Sequence, residues 1–197
     1  MGSEVKSAME IAMAKVEQLG TVTDEERLKW KYVPEGEKLA AKYLKQNLNL
    51  VAGLSQYEEN AKGHVIEGAG DILIRNINLP KDELAKRNNR KAMDGLKTVK
   101  SDKASVENVY SKMRRIFNHY VGQGEQQRKQ AYESLKAEFE AKIKQALLQQ
   151  LGSFVGIKID VERQPQFQEE WRKIKTQLDS QYVKLLDEYK QELSAIS

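Results

Sequence analysis

The run from Ser101 to Leu151 constrains this 197-residue chain most, because it holds no proline and stops at Gly152. Ser101 supplies an N-cap hydroxyl, and Asp102 places a negative charge in the first turn, where the helix dipole favours it. Gly152 supplies a left-handed stop. Val106, Val109, Met113, Ile116 and Tyr120 recur at steps of three and four, the signature of one helix face. Past Tyr120 the seven-residue repeat lapses and an eleven-residue repeat carries on. Tyr110, Val121, Tyr132 and Ile143 form one row, and Met113, Gly124, Leu135 and Ala146 form another. Eleven residues in three turns is about 3.67 per turn, so these rows stay aligned along a nearly straight helix. The spacing predicts one rod of roughly 75 Å, at about 1.5 Å per residue. Gly122 and Gly124 oppose it, at about 1 kcal/mol each against alanine. They mark a kinkable point in a continuous helix, with a full break as the alternative.

The other segments keep the same rhythm. Val5, Met9, Ala12, Val16 and Leu19 predict a helix over 4–19, closed by Gly20. Thr23 and Glu26 have capping-box spacing and open a short helix, 24–33, expected to stop before Pro34. Trp30 and Tyr32 would plug the bundle end at that junction, or stand exposed as a docking point. Pro34 should then open a second long element over about 35–78, in which Gly63, Gly68 and Gly70 permit close packing or a kink. Asn76 to Pro80 reads as a turn before a helix over 81–99, anchored by Leu84, Ala92, Leu96 and Val99. Alternation of Val155, Ile157, Ile159 and Val161 has strand periodicity, so 154–161 is either a strand or an extended connector. Pro165 should start the last helix, running to about Ala195 and packing antiparallel on the central rod. The expected fold is all-α: one elongated antiparallel helical bundle spanning 1–197, with two or three long helices and shorter ones beside them.

Composition agrees with long exposed helices: 31% of residues are charged and 7% aromatic. There is no cysteine, which excludes disulfides, thiolate metal sites and cysteine nucleophiles and fits a cytoplasmic location. No apolar run approaches the roughly 18 residues that a membrane-spanning helix needs.

Neither histidine has the partner that a bundle-type metal site requires. Ala61 stands three residues before His64 and Ile116 three before His119, where Glu-x-x-His would be needed. Each is expected to be a solvated or hydrogen-bonded helix histidine. No phosphate loop, dinucleotide fingerprint, zinc-protease motif or nucleophile elbow occurs. No catalysis, cofactor or metal is therefore expected.

One charge asymmetry stands out. Residues 81–120 carry a net +6, against −2 for 1–80 and zero for 121–197. Lys86, Arg90 and Lys97 lie near one helical face, Arg87, Lys91 and Lys100 on the adjacent one, and Arg114 and Arg115 follow on the next helix. Such a surface attracts phosphates by releasing their counterions, but 81–105 has no aromatic residue to stack on a single-stranded base. The expected role is an interaction or scaffolding protein that engages a protein partner or a second copy through helix seams. The alternative is a binder of nucleic acid backbone or anionic membrane through 86–115.

Overall fold

The computed structural model describes residues 23–46, 48–151 and 160–196. The helix expected over 4–19 lies outside these residues, as does the alternating stretch up to Ile159. All the regular secondary structure of the described residues is helical, with no strand among them. The chain divides into two compact units, Met1–Leu73 and Ile74–Ser197.

In the first unit, helix α1 (Asp24–Gln46) is followed by a short α2 (Leu50–Leu54) and by α3 (Glu59–Arg75). The capping box forms as expected: Glu26 N–H donates to Thr23 Oγ1 at 3.2 Å, and Thr23 N–H donates back to Glu26 Oε2 at 2.8 Å. Helix α1 does not stop before Pro34 but runs through it. An interior proline costs about 3 kcal/mol, through one lost donor and a clash with the carbonyl four residues back. A backbone crossing holds the helix on both sides of that defect. A methyl on Gly36 would lie 2.0 Å from the Val65 carbonyl oxygen, and one on Gly68 would lie 2.0 Å from that of Val33. Helices α1 and α3 therefore meet backbone to backbone at two points that bracket Pro34. Lys29 and Glu67 pair beside them at 2.7 Å.

The element expected over 35–78 is likewise divided. Asn49 caps α2 by accepting from Ala52 N–H at 3.2 Å, and residues 55–58 turn before α3 begins. Tyr32 packs edge-on against Tyr57, with ring centroids 6.1 Å apart. Trp30 does not plug the fold; it is 67% exposed.

The second unit begins with the last residues of α3, passes through a turn and continues as α4 (Glu83–Val99), capped by Asp82, which accepts from Ala85 N–H at 2.7 Å. Asn89, 4% exposed, pins the turn as a second backbone would. Its Oδ1 accepts from Asn78 N–H at 2.8 Å, and its Nδ2 donates to Asn78 O at 2.6 Å. Ala92, Leu96 and Val99 are buried as expected, whereas Leu84 is 60% exposed and anchors nothing.

The rod expected over 101–151 is bent. Helix α5 (Lys103–Val121) is capped by Asp102, one residue later than expected, and α6 (Gln123–Leu151) follows it. Gly122 alone leaves helical geometry, at φ −85° and ψ −91°. Hydrogen bonding nonetheless crosses the bend: Gly122 N–H donates to Asn118 O at 2.9 Å and Gln126 N–H to Gly122 O at 3.2 Å. The helix is kinked rather than severed, and the row of Met113, Gly124 and Leu135 stays buried across it, whereas Ala146, the last of that row, is exposed.

Val161 opens a 3₁₀ turn (Val161–Arg163) instead of ending a strand, and is buried with Leu135 and Phe167. Helix α7 (Pro165–Ala195) then returns antiparallel along α6 and α5. Phe167 stacks edge-on against Phe139 and Tyr132, Trp171 against Tyr132, Tyr182 against Tyr120, and Glu192 pairs with Lys112. Its buried line is Phe167, Asp179, Leu186 and Leu193, while Leu185, expected on the packed face, is 38% exposed.

The glycine crossing generates a direct test. Gly68→Ala should destabilise the protein by about 1–3 kcal/mol, the usual range for overpacking. Gly63, whose added methyl would meet nothing within 4 Å, should gain up to about 1 kcal/mol as alanine from helix propensity. Chemical denaturation of the two variants checks the contrast; equal effects would contradict the crossing.

Candidate functional site

Helices α4 and α5 form a hairpin, held in register by Tyr110 Oη donating to Met93 O at 2.7 Å, with Lys97 and Glu107 pairing across its exposed side at 2.9 Å. Burial pushes the Tyr110 phenol well above its ordinary pKa, so the hydroxyl remains a donor. Between the helices lies a groove of about 640 Å³. Four of the eight expected basic residues line it: Lys86, Arg90, Lys97 and Arg114. Met93, Phe117 and Val121 line it too and are half-buried, whereas Arg90 and Arg114 are exposed. This is an apolar floor with a cationic rim.

Two carboxylates, Asp94 and Glu107, share the groove. Glu107 accepts from both Lys97 and Arg114. These bonds, that of Lys97 foremost, hold its carboxyl below the usual range. Lys86 pairs with Glu83 one turn away at 2.6 Å. Among the described residues Arg90 makes no ion pair.

The other four cations lie elsewhere. Arg87 Nε approaches Glu83 O at 3.4 Å, and Lys91 does not line the groove. The Lys100 ammonium donates to the Ile196 carbonyl, tying the hairpin to the end of α7. Arg115 lines a separate groove of about 760 Å³ between α5 and α7, with Ile116, His119 and Leu185.

A second constellation sits at the bend, and the sequence reading missed it. Asp179 on α7 is 6% exposed. Its Oδ1 accepts from Arg128 Nη1 at 3.3 Å, and its Oδ2 accepts from Tyr120 Oη at 3.3 Å, with Lys81 Nζ at 4.0 Å. Arg128 also donates to the Tyr120 carbonyl at 2.9 Å and lies over the Tyr120 ring, 4.0 Å from its centroid. Tyr182 packs edge-on against that ring and takes a 2.8 Å hydrogen bond with His119 Nδ1. A methyl on Gly124 would come 2.8 Å from Tyr182 Oη, so the glycine makes room for the phenol.

One readable signal existed for this cluster. Asp179, Leu186 and Leu193 fall at steps of seven, which puts an acid on an apolar seam. Chemically the cluster is a lock. Burial, and then the Asp179 charge, push the Tyr120 phenol up to about 12, so it stays protonated near neutrality and donates to the carboxylate.

His64 approaches Glu67 at 3.8 Å. Among the described residues, no three of His, Cys, Asp and Glu gather as metal ligands, and no helix is long and apolar enough to cross a membrane.

The raised Tyr120 pKa predicts alkaline sensitivity. A phenol whose folded pKa exceeds its ordinary 10.0 contributes stability that is present below pH 10 and lost as pH rises towards about 12. Denaturation measured across that window should show falling stability, with a shallower fall in Tyr120→Phe. Parallel curves for the two proteins would contradict the assignment.

No curated protein and no solved structure matches the chain. The model of a family of unknown function, DUF6657, matches residues 51–195, which takes in the groove and the lock at the bend. The chain belongs to that family.

Proposed function

We propose that the protein is a non-catalytic cytoplasmic interaction or scaffolding protein that recruits its partner through helix surfaces. The observation that supports this is the α4–α5 groove, which sets Lys86, Arg90, Lys97 and Arg114 around an apolar floor on a hairpin of fixed register. A concave site lined by apolar side chains with a few placed charges is suited to holding a ligand. The ionisable groups buried at the bend, by contrast, are spent on one another.

The alternative partner is a nucleic acid backbone or an anionic membrane, which would draw on the +6 charge of residues 81–120. Against it, only four of the eight basic residues line the groove, and two carboxylates line it with them.

Affinity capture from the native cell with the intact chain, joined to light scattering of the purified protein, tests the proposal. A discrete complex with a protein partner or a second copy is expected. A strict monomer that captures nothing would contradict it.

A further inference from the structure

We infer that the α4–α5 groove receives an acidic amphipathic helix of a partner protein, with apolar side chains on Met93 and Phe117 and carboxylates on the rim cations. This rests on the interaction reading above and names the partner's chemistry. A helix seated in a groove presents apolar anchors at i, i+3 or i+4 and i+7, flanked by polar residues. The groove offers both kinds of contact along its length, Met93 between Arg90 and Lys97 on α4, and Phe117 and Val121 beyond Arg114 on α5. From Lys86 to Lys97 it follows three turns of α4, roughly 17 Å at about 1.5 Å per residue, a length that accommodates such anchors.

The carboxylates in the groove select against the other anionic partners. A nucleic acid strand carries one phosphate per about 3.4 Å, so a strand laid along the groove would press phosphates onto Asp94 and Glu107. A helix can leave those places uncharged or meet them with a lysine. A lipid surface would reach the exposed rim without filling the half-buried floor. Arg90, without an ion pair among the described residues, is the rim cation open to an incoming carboxylate. Lys97 and Arg114 are held in place by Glu107, at side-chain exposures of 46% and 50%. Pairs so exposed exchange readily for a new carboxylate.

The test uses the intact chain and four fluorescent probes at physiological ionic strength. The first is a helix-forming peptide with leucines at heptad spacing and glutamates on both flanks, and the second is its twin with lysine for glutamate. A single-stranded oligonucleotide and phosphatidylserine vesicles complete the set. The acidic peptide should bind, with the lysine twin at least about ten-fold weaker. Arg90→Glu should weaken the acidic peptide by about ten-fold, equivalent to roughly 1.4 kcal/mol. Arg115→Glu, outside the groove, should leave it nearly unchanged, with both variants confirmed folded by circular dichroism.

Failure of the acidic peptide to bind, preference for the oligonucleotide or vesicles, or equal losses in the two variants would overturn the inference. A cellular partner captured equally by wild type and Arg90→Glu would leave the interaction reading standing and remove the groove as its site. No captured partner together with no peptide binding would remove both.

Discussion

A buried carboxylate governs the second unit. Asp179 sits where α7 passes the bend between α5 and α6, and a lone carboxylate there would be strongly disfavoured. Arg128 and Tyr120 satisfy it from opposite sides of Gly122, one on each arm of the bent helix. The same guanidinium bonds the Tyr120 carbonyl, so three attachments converge within a few residues of the kink. Removing one partner of a buried ion pair commonly costs about 3–5 kcal/mol, because the other is stranded without solvent. The cluster thus fixes the bend by making its loss expensive.

From that point the register of α7 follows in both directions. Towards its N-terminus, the Phe167 and Trp171 rings interleave with Tyr132 and Phe139, and the 3₁₀ turn delivers Val161 beneath them. Towards its C-terminus, Leu186 and Leu193 continue the buried line, and the Lys100 ammonium closes on the Ile196 carbonyl. The α4–α5 groove is not filled by α7, whose residues do not line it. The first unit solves its packing by other means: α1 and α3 touch through Gly36 and Gly68, where any side chain would collide with a carbonyl.

Local rules in the sequence carried much of this. The Thr23–Glu26 capping box and the span of α7 from Pro165 to Ala195 follow from nearest-neighbour chemistry and were legible. The continuity of α1 through Pro34 was not, because it depends on Val65 and Gly68, some thirty positions away. The bend at Gly122 was legible as a weakness, but its geometry depends on a side chain from α7. Helical spacing placed Lys86, Arg90 and Lys97 on one face. Adding Arg114 and separating Arg115 required knowing how α5 is turned against α4. Asn89 was hidden among basic neighbours, yet it holds the turn that starts the unit.

The central claim is that Asp179 and Arg128 act as a pair that fixes the bend. A double-mutant cycle measures it directly, with Asp179→Leu, Arg128→Met and the double variant compared by chemical denaturation. A coupled pair predicts that the double variant loses less than the two single losses combined, by about 1–3 kcal/mol. Additive losses would show that the two residues contribute independently and would contradict the lock.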